Sequence, residues 1–149
     1  QAAKDADFLL TIPGIEAWEK SHGRIPERHW VLLRTDWSKK GWRDYANLKD
    51  DGAHTPGPDA AVMCWLVEER GIIGLGTETI GTDAGQAGHP EPPYPADHFL
   101  HGGGRYGLQC LCNLDQLPPT GAVIVAAPLK IQNGSGSPLR VLALVPGQG

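Results

Sequence analysis

Short apolar runs in this chain are separated by polar passages rich in glycine and proline, and each run has a readable period. Leu9 to Thr11 reads as a short extended piece. It leads into "PGIEAWEKSHG", where Pro13 suits a helix start, Ile15 and Trp18 share one face, and Gly23 ends the element. "HWVLLRT" (29–35) is apolar with a β-branched and aromatic flavour, which predicts a strand closing on the polar cluster "DWSKKG". A buried strand with a polar tip is a common way to deliver side chains to a site. From Trp42 to Pro58 the sequence is polar and rich in glycine and proline, predicting a surface loop with one helical turn around Tyr45.

The clearest helical pattern is "PDAAVMCWLVEERG" (58–71), in which Ala61, Cys64, Trp65, Val67 and Glu68 follow i, i+3, i+4 spacing, with Asp59 in the first turn and Gly71 at the end. "IIGLGTETIGTD" (72–83) predicts a short strand and a second polar-tipped segment. After a proline-rich passage, "GRYGLQCLCNLDQLP" reads as an interior helix. "GAVIVAAPLKIQNGSGSPLRVLALVP" then predicts two strands around a turn in which Asn133-Gly134 is a hairpin signal. Helices and strands in this order predict an α/β domain containing a hairpin, with no internal repeat.

The length of 149 residues and 40% hydrophobic content suit one globular domain. The net charge of −4 is spread without a basic stripe, so nucleic acid is not expected as a partner. The longest apolar run, "GAVIVAAPL", falls far short of the roughly 20 residues that span a bilayer, and no membrane partner is expected. Cys64, Cys110 and Cys112 make an odd count without disulfide or zinc-ribbon spacing, which points to a reducing, cytoplasmic setting. The first residue is Gln1 and the opening lacks signal-peptide layout, so further residues upstream are expected.

Candidate chemistry concentrates in "EPPYPADHFLHGGGRYGLQCLCNLDQLPP" (91–119). Asp97, His98 and His101 stand close together, and Gln109 follows His98 by eleven residues. Imidazole nitrogen with carboxylate or carboxamide oxygen suits zinc or manganese, although the same residues also suit a hydrogen-bonded surface feature. Gly102, Gly103 and Gly104 could cradle an anion ahead of a helix or form a plain turn; no P-loop lysine and hydroxyl residue follow them. Cys110 fits either a nucleophile near a histidine or a small core residue. In "GTDAGQAG" (81–88), Thr82, Asp83 and Gln86 either line a pocket or form a turn held by the Asp83 side chain.

"PADHFLHGGGRYGLQCLCNLDQLPPTGAVIVAAPLKIQNGSGSPLRVLALVP", with "VLLRTDW" and "IGTDAGQAG", resembles the cyclase superfamily of metal-dependent amide and lactam hydrolases. That group includes bacterial kynurenine formamidase, and the likeness is greatest to its isatin-hydrolysing branch. It runs from about Asp7 to Pro146. The resemblance implies the C-terminal portion of a swivelling β/β/α-type fold, and residues 1–149 are expected to be part of one such domain. The family's upstream motif H-x-G-T-H-x-D-x-P-x-H, which supplies most of the metal site, does not occur in these residues.

By the same resemblance Gln109 takes the position of a metal ligand on a later helix. Asp97 stands where the family has a histidine, which makes it a second candidate ligand, while His98 and His101 become candidate proton donors and acceptors. Cys110 matches a position that contacts substrate, with Phe99, Thr82 and Asp83 beside it; Trp37 and Tyr106 are further candidate walls for a flat ring. The implied cofactor is a divalent metal, manganese first and zinc second. A neutral glutamine in place of glutamate leaves such an ion about one charge unit more positive and its bound water more acidic.

The implied reaction is opening of a cyclic amide, isatin to isatinate or a related lactam, by metal-activated water. The alternatives are formamidase action on an aryl formamide such as formylkynurenine, or a non-catalytic remnant or subunit. The expected partners are a small amide substrate and a second copy, as a homodimer or larger assembly, with a separate N-terminal chain as a further possibility.

Overall fold

A computed structural model of the chain describes residues 2–147. It falls into two compact units, residues 1–115 and 116–149.

The first unit opens with β1 (Leu9–Leu10) and helix α1 (Ile12–His22), which begins with a proline in its first turn and ends at Gly23. Strand β2 (Trp30–Leu33) follows, then a single 3-10 turn at Trp37–Lys39. The passage expected as an exposed loop instead folds into a small hairpin, β3 (Leu48–Lys49) and β4 (Gly52–Ala53), and a strand β5 (Gly57–Pro58) that pairs in parallel with β1. His54, Thr55, Pro56 and Gly57 are buried. Glycine is what permits this: a Cβ on Gly57 would lie 2.3 Å from the Ala84 amide nitrogen. Composition marked the passage as irregular but could not reveal that another loop packs over it.

Helix α2 (Ala60–Glu68) is capped by Asp59, whose carboxylate accepts from the Val62 amide at 2.6 Å. Its buried residues are Val62, Met63 and Leu66, so the inward face is rotated from the one expected through Ala61 and Cys64. The helix is apolar almost all round, which leaves its sequence period with little power to choose a face. Strand β6 (Gly74–Thr77), helix α3 (Pro95–Gly102) and strand β7 (Tyr106–Leu108) complete the unit.

β6 runs parallel to both β2 and β7 as the middle strand of the sheet. Its Gly74 has no room for a side chain, because a Cβ would meet the Trp30 ring at 2.3 Å and the Tyr106 carbonyl at 2.5 Å. The core forms where Val62, Met63 and Leu66 of α2 and Ala96 and Leu100 of α3 pack with Leu75 of β6. Burying a large aliphatic side chain of this kind is worth about 1.5–3 kcal/mol.

The interior helix expected over "GRYGLQCLCNLDQLP" does not form. The helix lies earlier, in α3, and the quoted segment begins as strand β7 before becoming largely irregular. Three features enforce this. Gly104 turns the chain at φ 66°, the Tyr106 amide donates to the Ile73 carbonyl at the edge of β6, and Cys110 and Asn113 have φ of 56° and 61°, outside the helical region. The triplet Gly102–Gly104 therefore ends helix α3 at Gly102 and turns at Gly103 and Gly104, with no anion-binding helix start behind it.

In the second unit, β8 (Val123–Ala126) and β9 (Val141–Leu144) pair antiparallel with Val123 opposite Leu144 and Val125 opposite Leu142. The expected hairpin is present. Asn133 has φ 59° and the Gly134 amide bonds the Ile131 carbonyl at 3.1 Å, but this turn lies inside a longer connection.

Candidate active site

Parallel strands present their carboxyl ends together, and ligands of open α/β sheets bind beside those ends. Here the tips carry Thr35 and Asp36 after β2, Glu78 and Thr79 after β6, and Gln109 and Cys110 after β7. Glu78 is wholly buried. One of its carboxylate oxygens accepts from the Thr35 amide at 2.7 Å and the Thr35 hydroxyl at 3.3 Å; the other accepts from the Ser38 hydroxyl at 2.8 Å. Its carbonyl accepts from the Tyr45 hydroxyl. Glu78 thus ties the tips of β2 and β6 and fixes the backbone that leads into residues 79–88.

That loop gathers the residues singled out from sequence. The Gln109 carboxamide oxygen accepts from the Gly81 amide at 2.7 Å, and the next residue, Thr82, donates from its hydroxyl to Asp97 Oδ1 at 3.0 Å. His101 Nε2 lies 3.5 Å from the same Asp97 oxygen, one turn along α3. A Cβ at Gly107 would touch Thr82 at 3.1 Å and His101 at 3.7 Å, so β7 passes close against both. Thr82, Asp97, His101 and Gln109 are thereby collected around two consecutive loop residues, Gly81 and Thr82.

Asp83 has a different task. Its two carboxylate oxygens accept from the Ala96 amide at 2.7 Å and the Asp97 amide at 3.0 Å, holding the start of α3. Tyr94, which precedes the helix, makes no side-chain cap, and Asp83 supplies the missing acceptors from a distant loop. Burial pushes its carboxyl above the ordinary range, against the pull of the two amides. A cavity of about 640 Å³ opens beside this arrangement, with Ile80, Gly81, Asp83, Gln86, His89 and Asp97 in its lining and the β3–β4 hairpin on another side.

Of the gathered set only Gly81 and Asp97 are in that cavity's lining; Thr82, His101 and Gln109 stand beside it, and the remaining candidates stand apart from it as well. His98 is exposed and set edge-on to the Phe99 ring at 5.0 Å, while Phe99 packs against the hydrophobic core and does not form an open wall. Trp37 is 2% exposed, with its indole N–H on the Tyr45 carbonyl at 2.7 Å and Lys40 over its ring, which removes it as a substrate wall. Tyr106 is exposed and tilts against Trp30. Cys110 is exposed, with its amide on the Thr79 carbonyl at 2.9 Å. Burial, and after it the neighbouring Cys110 side chain, push the Tyr45 phenol up to about 12.

Three features escaped the sequence reading: the buried Glu78, the Tyr45 hydroxyl beside Cys110, and a histidine, His54, set between two aspartates. Glu78 left a trace, being a charged residue at the end of an apolar strand. His54 left none.

Asp97 and Gln109 offer oxygen donors of the kind divalent ions take. Among the described residues, no three His, Cys, Asp or Glu side chains converge as a metal cluster. The residues present therefore fit part of a coordination shell.

The sequence profile of the family described as Putative cyclase matches residues 1–84. The chain belongs to that family. It is 51% identical over 148 residues to an isatin hydrolase of Roseibium aggregatum, covering 98% of this chain and 56% of the relative. Among solved structures it is similar to isatin hydrolase A from Labrenzia aggregata bound to benzyl benzoate, with TM-score 0.95, 64% identity, and 97% and 56% of the two chains covered. It is also similar to an isatin hydrolase bound to the product analogue thioisatinate, with TM-score 0.95, 49% identity, and 98% and 56% covered. A more distant likeness is to a predicted metal-dependent hydrolase from Bacillus stearothermophilus, with TM-score 0.60, 25% identity, and 83% and 53% covered. The chain thus spans about 56% of the length of its isatin-hydrolase relatives.

Proposed function

We propose that this chain forms the substrate cavity and part of the metal site of a metal-dependent hydrolase that opens a cyclic amide, isatin or a related lactam. The observation that carries the reading is the gathering of Asp97, Thr82, His101 and Gln109 about the Gly81–Thr82 turn. It occurs on a backbone shared at TM-score 0.95 with isatin hydrolases.

In this reading the Asp97 carboxylate and Gln109 carboxamide hold a divalent ion, manganese first and zinc second, together with ligands from outside these residues. The ion supplies Lewis acidity toward the amide carbonyl and toward water. Thr82 fixes one Asp97 oxygen by its hydroxyl, and the Gly81 amide fixes the Gln109 carboxamide. His101, against Asp97 and half exposed, moves the proton required by the leaving ring nitrogen. Cys110, exposed at the tip of β7 next to Gln109 and outside the lining of the 640 Å³ cavity, contacts the substrate from the metal side of the site. Among the described residues no helix is long and apolar enough to cross a membrane. The reading places the enzyme in the cytoplasm as a homodimer or larger assembly.

The test is loss of isatin absorbance on adding the intact protein, together with metal content per chain. The expected result is about one ion per chain and ring opening, with Gln109→Ala reducing both by about tenfold or more. Turnover of an aryl formamide without turnover of isatin would move the substrate to the formamidase class. Absence of both metal and activity from the intact protein would make it a non-catalytic subunit.

A further inference from the structure

His54 is 9% exposed and uses both ring nitrogens on carboxylates: Nδ1 lies 2.7 Å from Asp7 Oδ1, and Nε2 lies 3.0 Å from Asp51 Oδ1. A neutral imidazole carries one N–H and would set a lone pair against one of the two carboxylates; only the imidazolium donates to both. Asp7 precedes β1, and Asp51 sits in the turn of the β3–β4 hairpin, so the ring joins segments far apart in sequence. Leu48, Asp51, Gly52 and Ala53 of that hairpin line the 640 Å³ cavity.

A second partner stands ready. Gln86, also in the cavity lining, donates from Nε2 to the Ala53 carbonyl at 2.9 Å, and that nitrogen lies 3.4 Å from His54 Nε2. The charged groups acting on the ring are Asp7 and Asp51, which favour the proton, and Lys49, which opposes it. The hydrogen bond with Asp51 is the largest influence and raises the imidazole above its ordinary value.

We propose that His54 is a proton-dependent positioning residue: as imidazolium it clamps the Asp51 turn to the cavity wall. On losing the Nε2 proton it releases Asp51 and turns that lone pair to the Gln86 amide, which loosens the hairpin side of the cavity. The consequence for substrate rests on the reading above; the exchange of partners does not. Because the folded imidazole is raised, the clamp is fully present below the ordinary histidine value and is lost as pH rises through the raised one.

The experiment is an NMR titration of the His54 ring in the intact protein, with hydrogen exchange of amides 48–53 across the same pH range. The expected result is a raised midpoint that falls in Asp51→Asn, a substitution at a side chain 68% exposed that should leave the fold intact. Hairpin exchange, corrected for intrinsic base catalysis, should rise by up to about tenfold per pH unit between the ordinary histidine value and that raised midpoint, and level off above it. Loss of that pH dependence in His54→Gln, with exchange in β6 unchanged, would support the clamp. An ordinary midpoint, a midpoint unmoved in Asp51→Asn, or hairpin exchange independent of pH would overturn the proposal. None of these readouts requires metal or substrate, so failure of the hydrolase reading leaves the result intact.

Discussion

At the scale of single residues, the buried polar groups do specific work. Glu78 accepts three hydrogen bonds in a wholly buried position, and its removal would leave the Thr35 amide without its acceptor as well as opening a void. An unsatisfied buried donor costs about 1–3 kcal/mol, and loss of packing adds to it. Glu78→Ala should therefore lower stability by about 3 kcal/mol in urea unfolding; a loss below about 1 kcal/mol would show that water replaces the carboxylate without penalty. Glu19 and Arg70 give a separate pH handle. Arg70 donates to both Glu19 oxygens, at 2.8 and 2.9 Å, and lies over the Trp65 ring. The guanidinium lowers the Glu19 carboxyl below its ordinary value. A lowered acid stabilises the fold above its unfolded value and loses that contribution as pH falls through the folded one. Thermal melts of Glu19→Gln should show a lower Tm than the parent at neutral pH and a gap that narrows below about pH 4. A gap unchanged down to pH 2 would remove Glu19 from the acid response.

At the scale of elements, close approach of backbones decides what the hydrophobic pattern leaves open. Gly74 lies in the middle strand, with the Trp30 ring on one side and the Tyr106 carbonyl on the other. Gly74→Ala would force β2 and β7 apart and should cost at least about 2 kcal/mol, with enhanced amide exchange in all three strands. Exchange confined to residue 74 and its neighbours would mean that Trp30 simply swings aside. The same physics explains what could be read from the sequence. α1, β2, α2 and β6 were legible because each joins a short apolar run, or apolar residues at helical spacing, to a nearby proline, aspartate or glycine. α3 was hidden because "PADHFLHG" lies in a proline-rich passage and its cap comes from Asp83, thirteen residues before Ala96. β7 was misread as helix because the strand is only three residues long and its pairing with β6 is non-local. In the candidate site, the residue types were legible in Asp97, Thr82 and Gln109. Their convergence was not, since it depends on the Gly81–Thr82 turn reaching both α3 and the tip of β7.

At the scale of the whole molecule, the two units solve the burial problem differently. The first buries a core between helices and a three-stranded parallel sheet. Among the described residues the second has one two-stranded ribbon and its connections, and Val123, Val125, Leu142 and Leu144 form cross-strand pairs that are each at least 41% exposed. Opposed β-branched and aliphatic residues contribute only about 0.2–1 kcal/mol per pair, and an isolated ribbon does not recover the backbone entropy of about 1–2 kcal/mol per residue that ordering it costs. A peptide of residues 116–149 should thus show little strand signal by circular dichroism at micromolar concentration, and narrow amide dispersion by NMR. A cooperative, concentration-independent melt of that peptide would mean that the ribbon is stable on local pairing alone. A melt that appears only as concentration rises would mean that its exposed apolar face drives self-association.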